Sequence, residues 1–160
     1  LAMRRGEKRT LRWGISNMER DMYREQLRTL GLGLEERMSS KVGLLSGGQR
    51  QALTLLMAAL KKPKLLLLDE HTAALDPKTA AKVLELSDRI VEENGLTTMM
   101  VTHNMKDAIA HGNRLIMMDA GRVVLDICGW EKQKLTVPDL LALFSEAGGT
   151  DAADDKLLLA

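Results

Sequence analysis

Apolar residues recur at helical spacing along several stretches of the chain, and each stretch begins at a residue that can cap a helix. A Ser followed three residues later by Glu or Gln forms a capping box, in which side chains accept from the first free backbone N–H groups. Such boxes begin at Ser16 and Ser46, while Asp76 and Asn104 are single caps. The predicted helices cover residues 17–30, 47–61, 77–94, 105–110 and a last amphipathic segment that starts at Thr136.

The spacing also predicts which helical residues are buried. We expect the first helix to present Met18, Met22, Leu27 and Leu30, the second Leu53, Leu56, Met57 and Leu60, the third Ala80, Val83, Leu84, Ile90 and Val91, and the last Leu140, Leu141, Leu143 and Phe144.

Two apolar runs lack helical spacing and predict strands. Leu65–Leu68 lies between Pro63 and two acids, and Leu96–Thr102 ends at a histidine. Continuous apolar runs of this kind are typical of parallel strands buried on both faces. Arg114–Met118 and Arg122–Ile127 alternate around a turn that contains glycine, which predicts a hairpin able to extend the sheet. The pattern as a whole predicts an α/β fold.

Candidate chemistry lies at a helix start and at a strand end. Ser46 and Gln49 cap the second helix, and Gly47 and Gly48 remove side chains from its first turn. The free N–H groups and the dipole of such a helix start favour an anion. The acids Asp69–Glu70 directly follow the first strand, at the end where open α/β sheets carry their sites. Together these features indicate phosphate and metal chemistry.

His103 directly follows the carboxyl end of the second strand, as the two acids follow the first. This placement favours a functional role over a purely structural one. A zinc cluster formed by Asp69, Glu70 and His71 is disfavoured, because consecutive residues do not easily converge on one tetrahedral ion. His111 has no comparable placement and is assigned no role.

These segments stand in the order and spacing of a known family. Leu45–Gln49 resembles the signature of ATP-binding-cassette (ABC) ATPases, and Leu65–Glu70 resembles their Walker B strand with its catalytic glutamate. Ala74–Asp76 resembles the D-loop, and His103 resembles the switch histidine. The resemblance covers roughly residues 12–127 and is greatest to bacterial importer ATPase subunits. It departs from the family at His71, where many members have proline.

The resemblance implies an incomplete P-loop NTPase fold, with a helical subdomain and the C-terminal part of a RecA-like parallel sheet. It implies an ATPase that works as a head-to-tail homodimer, in which Ser46–Gln49 of one subunit closes over ATP held by the other. It implies the following roles: Asp69 holds Mg²⁺, Glu70 is the general base, His103 orients water and the γ-phosphate, and Asp76 organises the subunit interface. Closure and reopening would drive transmembrane permease subunits.

The phosphate-binding loop of the family has no counterpart, because no G-x-x-x-x-G-K-[ST] pattern occurs in the chain. We therefore expect the C-terminal part of a longer subunit, with natural loss of the loop as the alternative. A non-hydrolytic interaction or regulatory module derived from such an ATPase is the main rival hypothesis. A chromosome-maintenance or ribosome-associated ATPase is a third, but the chain shows neither the long heptads nor the second cassette that would mark it.

Composition adds little to this interpretation. A net charge of +1 and few aromatic residues give no sign of nucleic-acid binding. A single cysteine, Cys128, fits a reducing cytosol, and no apolar run approaches the roughly 20 residues that span a bilayer. With the resemblance, this predicts a cytoplasmic subunit that is peripheral on the inner face of the cell membrane.

We divide the chain into three parts: a helical signature subdomain (1–62), an α/β core (63–128), and a C-terminal helix and tail (129–160). A basic arm at residues 3–12 and a small, acidic tail from Gly148 are expected to be solvated or loosely attached.

Overall fold

The computed structural model describes residues 15–147, so the basic arm and the acidic tail lie outside the described residues. Its helices are α1 (Asn17–Arg28), α2 (Gly47–Ala59), α3 (Pro77–Asn94), α4 (Met105–Ala110), α5 (Gly129–Lys134) and α6 (Val137–Glu146). Its strands are β1 (Leu66–Asp69), β2 (Thr98–Val101), β3 (Arg114–Asp119) and β4 (Arg122–Cys128). Short 3₁₀ turns occupy Leu34–Arg37 and Val42–Leu44.

The helix starts expected from capping residues are confirmed. Ser16 and Ser46 form complete capping boxes, and Thr136 forms a third with Asp139 as its acceptor. Single caps begin α3 and α4 as expected. Both α1 and α2 end slightly before the expected boundary, within the usual variation of helix ends. The short α5 was not expected, because six mostly polar residues show no apolar periodicity.

The described residues form a mixed α/β structure with a parallel sheet, which confirms the expected fold class. β1 and β2 form a two-stranded parallel sheet, and β3 and β4 form a separate antiparallel one. The hairpin therefore does not extend the first sheet, contrary to expectation. An irregularity between Met117 and Met118 breaks the hairpin register, and such bulges bend and twist a strand.

The chain falls into two compact units, with the boundary between Met99 and Met100. The first unit contains α1, α2, β1 and α3, and the second contains α4, both hairpin strands, α5 and α6. The earlier division into residues 1–62, 63–128 and 129–160 stays a prediction. No helix among residues 15–147 is long and apolar enough to cross a membrane.

In the first unit, α2 packs on α3, but not through the expected leucine stripe. The buried residues of α2 are Gly48, Ala52, Leu55, Leu56 and Ala59. Of the predicted stripe only Leu56 is among them. Small residues on this face let the two helix backbones approach closely, so the bulkiest side chains are not the ones that mark the contact.

The expected apolar face of α1 is also wrong, because α1 buries none of its residues. Met18 is 77% exposed and Met22 is 51% exposed, while Leu30, just beyond the helix, is buried. The main contact of α1 is with the 3₁₀ turn at Leu34–Arg37, which is too short to cover a helix face.

The prediction that the first two strands are buried on both faces is likewise wrong. In β1, Leu66 and Leu68 are buried, whereas Leu67 is 64% exposed. In β2, Met99 and Val101 are exposed. A strand alternates its side chains between two faces, and the described residues cover only one of them.

The core of the second unit consists of Met105, Leu115 and Leu140, which come from α4, β3 and α6. Beside it, Lys132 of α5 is only 2% exposed. Its ammonium donates to the carbonyl oxygens of Ile109, His111 and Gly112, at the C-terminal end of α4. These carbonyls carry the negative end of the helix dipole, so the buried charge is compensated.

Candidate functional site

The N-terminus of α2 has the geometry expected of a capped, anion-accepting helix start. Ser46 Oγ accepts from the backbone N–H of Gln49 at 3.3 Å, and Gln49 Oε1 accepts from the N–H of Ser46 at 3.1 Å. Ser46 is exposed, and the first turn contains no acidic residue. The N–H groups of Gly47 and Gly48 therefore lie at a positive helix end whose own first turn contains no carboxylate.

Gln49 also ties this helix start to the rest of the first unit. Its Nε2 donates to the carbonyl oxygen of Leu32 at 3.2 Å, in the loop that follows α1. A second long-range bond joins the same region to α3, because Arg89 Nη2 donates to the carbonyl oxygen of Thr29 at 2.6 Å. The side-chain amide of Gln49 thus maintains the shape of the helix start.

Gly47 and Gly48 lie directly against the start of α3. A Cβ at Gly47 would lie 2.9 Å from Leu75 Cδ2, and one at Gly48 would overlap Thr79 Cγ2. The two glycines therefore allow a close contact within the chain, between the start of α2 and the start of α3. It brings the signature helix and the segment around Asp76 together in one unit.

Asp76 caps α3 from this junction. Its Oδ1 accepts from the backbone N–H of Thr79 at 3.1 Å. Hydrogen bonds from Thr79, first from its side chain and then from its backbone, lower the pKa of Asp76 below the ordinary value of 3.8. Asp76 is therefore an exposed carboxylate at neutral pH, beside the start of α2.

Asp69 is the last residue of β1, and Glu70 follows it in the connecting turn. Both side chains are exposed, as a site open to a ligand requires. Glu70 has a φ of 40°, in the left-handed region that residues other than glycine rarely adopt. Its carbonyl oxygen accepts from the N–H of Ala73 at 3.0 Å, which closes the turn.

His103 lies in the second unit, between β2 and α4, and is exposed. A hydrogen-bonded turn follows it at once. Asn104 donates its N–H to Thr102 Oγ1 at 3.1 Å, and its Oδ1 accepts from the N–H groups of Lys106 and Asp107 at 2.9 and 3.2 Å. The backbone on both sides of His103 is thus fixed.

The structure brings the predicted residues Ser46–Gln49 and Asp76 together in the first unit, and it places Asp69 beside Glu70 at the end of β1. His103 lies in the turn between β2 and α4 that is described above. Sequence reasoning did not identify Thr79, whose methyl group contacts Gly48. Its signal was its position three residues after a capping Asp, which places its N–H at the cap.

The acidic residues suit Mg²⁺ more than a metal held entirely by protein. No group of three or more His, Cys, Asp or Glu residues that could hold a metal ion occurs within residues 15–147. Mg²⁺ is typically bound through one or two carboxylates, water and substrate phosphates. An exposed carboxylate such as Asp69, at a strand end, fits that requirement.

Acids at a strand end of a parallel sheet and a capped, glycine-containing helix start are the features that the resemblance to ATP-binding-cassette ATPases predicted. The family model for ABC transporters matches residues 5–73. Over 151 residues the chain is 49% identical to a tyrosine transport ATP-binding protein of Clostridioides difficile, covering 92% of this chain and 58% of that protein. It is 39% identical over 114 residues to an aliphatic sulfonates import ATP-binding protein of Agrobacterium fabrum, covering 71% of this chain and 43% of that protein.

Solved structures agree with these relatives. An inward-facing ABC transporter assigned to the metal-chelate type superposes with a TM-score of 0.68 at 27% identity, covering 89% of this chain and 55% of that one. A bacterial ABC transporter cassette solved as a dimer gives a TM-score of 0.56 at 35% identity, covering 73% of this chain and 50% of that one. The chain belongs to the ABC transporter ATP-binding family. It spans about half the length of the relatives that it matches.

Proposed function

We propose that this chain forms part of the ATP-hydrolysing subunit of an importer-type ABC transporter. The subunit would act as a homodimer with ATP and Mg²⁺, bound to permease subunits at the cytoplasmic face of the membrane. Relatives named for tyrosine transport and for sulfonate import support an importer of small organic solutes. The observation that carries the proposal is the open, capped start of α2 packed against the cap of α3.

The start of α2 would bind the γ-phosphate of ATP held by the second subunit. Its free N–H groups at Gly47 and Gly48 and its positive dipole suit a polyanion, and the exposed Ser46 adds a hydroxyl. Asp76, ionised and adjacent, would form polar contacts across the subunit interface. Packing against α3 keeps both groups in one fixed arrangement, which limits the reorganisation needed when the dimer closes.

The residues at the strand ends would carry the hydrolytic step. Asp69 would hold Mg²⁺, which neutralises charge on the phosphates. Glu70, one residue further along the turn, would accept a proton from the attacking water. His103, fixed by the turn around Asn104, would orient that water and the γ-phosphate through hydrogen bonds.

Replacing Glu70 tests this assignment in a completed cassette, in which a family member's segment with a G-x-x-x-x-G-K-[ST] loop precedes residues 1–160. Glu70→Gln should lower the rate of ATP hydrolysis by a factor of about 10² to 10⁴, because a positioned base contributes roughly that much. ATP binding should remain, since the amide keeps the shape of the side chain. The matched control is Glu85→Gln, at an exposed glutamate of α3.

Phosphate release and nucleotide binding are measured separately for each variant. Equal loss of both in Glu70→Gln would make Glu70 a structural residue. Unchanged turnover would exclude it as the base. A completed cassette that binds ATP but never hydrolyses it would favour the non-hydrolytic module instead. The 160-residue chain itself, whose sequence contains no phosphate-loop pattern, is the reference and is expected not to hydrolyse ATP.

A further inference from the structure

His71 directly follows the proposed base Glu70. The structure connects this histidine to α3. His71 Nε2 lies 3.0 Å from Ser87 Oγ, and Ser87 lies on the buried face of α3 with 3% exposure. A half-buried imidazole thus joins the turn after β1 to the middle of a long helix.

The direction of this hydrogen bond follows from the second contact of Ser87. Its hydroxyl lies 2.7 Å from the carbonyl oxygen of Val83, which can only accept. A hydroxyl has one hydrogen, so Ser87 donates to Val83 and accepts from His71. His71 Nε2 therefore carries a proton and donates it. If the bond to His71 is not made, Ser87 keeps its bond to Val83, and His71 Nε2 loses the buried acceptor that Ser87 provides.

The turn that His71 anchors is the one with the unusual backbone at Glu70. A left-handed conformation at a residue other than glycine is unfavourable and persists only where the surroundings impose it. Two hydrogen bonds hold this turn: the N–H of Ala73 donates to the carbonyl oxygen of Glu70, and the side chain of His71 donates to Ser87.

We propose that the hydrogen bond from His71 to Ser87 is a positioning device, which holds Glu70 in its left-handed conformation and so directs the carboxylate. His71 acts through the backbone of its neighbour and does not touch the reacting atoms. The inference rests on the proposed role of Glu70. A side-chain bond to a buried helix residue thus fixes the turn that carries the proposed base.

The first test uses the 160-residue chain and does not depend on catalysis. Ser87→Ala removes the acceptor of His71. The amide hydrogen of Ala73, which closes the turn, should then exchange with solvent at least about tenfold faster, as local opening becomes easier. The amide of Ala80, bonded to the carbonyl oxygen of Asp76, should keep its rate.

Two further variants separate the contact from the loss of a serine. Ser145→Ala is the matched control, because Ser145 makes the same bond to the carbonyl oxygen four residues earlier, at 3.1 Å, and its helix contains no histidine. It should leave the exchange of Ala73 unchanged. Ser87→Thr keeps the hydroxyl and should restore slow exchange. Unchanged Ala73 exchange in Ser87→Ala would overturn the proposal.

The second test uses the completed cassette. Ser87→Ala and His71→Ala should each lower kcat by about 10- to 100-fold, the range expected when a catalytic group is displaced by about 1 Å. KM for ATP should change little, because neither residue lies at the start of α2, where the phosphate would bind. Ser87→Thr should recover kcat, which a merely structural loss of packing would not predict.

The outcomes distinguish this inference from the proposed function. If His71→Ala retains full kcat, the turn does not need the histidine and the positioning role is wrong. If the unsubstituted cassette fails to hydrolyse ATP, the proposed function is wrong, and the exchange of Ala73 still decides whether the contact holds the turn. Faster exchange together with lower kcat in Ser87→Ala supports both.

Discussion

At the scale of single residues, Asp76 shows how one side chain can serve the fold and the site together. Its carboxylate accepts from the N–H of Thr79 and so caps α3, and the same charge is exposed beside the signature helix. A carboxylate is favoured at a helix N-terminus because the dipole there is positive. The bonds that cap the helix also keep the residue ionised.

The charge of Asp76 predicts a pH dependence of stability. Hydrogen bonds from Thr79 lower its pKa in the folded chain below 3.8. Its contribution is therefore present above the unfolded pKa and is lost as the pH falls through the lower folded pKa. Asp76→Asn, which caps well without a charge, should be less stable than the wild type at neutral pH, and the difference should vanish in acid.

Urea unfolding at a series of pH values measures this difference, and Asp76→Ala is the control. Alanine cannot cap, so its deficit relative to Asp76→Asn should persist at every pH. A gap between the Asp and Asn chains that stays constant down to the most acid samples would contradict the lowered pKa.

The residues that could be predicted from the sequence are those whose signal is local. Ser46 and Asp76 stand in patterns a few residues long, and the same bonds define the caps in the structure. Ser87 and Lys132 carry no such signal. Their partners lie 16 or more positions away, and only tertiary packing brings them together. A buried lysine is unusual in any sequence, and no local pattern predicts one.

At the scale of elements, most starts and types of helices and strands could be predicted, but their buried faces could not. The pattern of large apolar residues predicted a face of α2 through Leu53 and Met57, which are only partly buried. The contact with α3 runs instead through Gly48, Ala52 and Ala59. Small residues let two helix backbones come close together. A pattern of large apolar residues does not reveal them, because their side chains contribute little hydrophobicity.

The contact between α2 and α3 predicts an unusual effect of alanine. In a helix interior Ala is normally about 1 kcal/mol more favourable than Gly. At Gly48 the sign should reverse, because the added Cβ would overlap Thr79 Cγ2. We expect Gly48→Ala to lower the free energy of unfolding by about 1–3 kcal/mol, the usual effect of overpacking. Urea denaturation of the 160-residue chain measures it.

A second substitution tests whether the overlap is the cause. Thr79→Ser removes the methyl group and keeps the backbone N–H that bonds to Asp76. The double variant with Gly48→Ala should regain most of the lost stability. Gly47→Ala is the milder comparison, since its Cβ meets the flexible end of Leu75. Equal losses in the single and double variants would exclude steric overlap as the reason.

At the scale of the whole molecule, the main departure from expectation is the exposed face of the first sheet. Leu65, Leu67 and Met99 are each more than half exposed. The sequence could predict that these strands are apolar, but not which face is covered, because coverage depends on the other elements that pack against the sheet. Apolar surface left in water favours association with other apolar surface.

The exposed apolar face of the first sheet predicts that the chain self-associates in solution. At micromolar concentration the 160-residue chain should bind a hydrophobic dye and self-associate. Leu67→Ala should reduce both dye fluorescence and light scattering, while the free energy of unfolding changes by no more than about 0.5 kcal/mol. Leu66→Ala, on the buried face of the same strand, is the matched control and should cost about 2–5 kcal/mol. A monodisperse monomer that unfolds cooperatively with more than about 5 kcal/mol would contradict the prediction, since that is the stability of an ordinary self-contained domain.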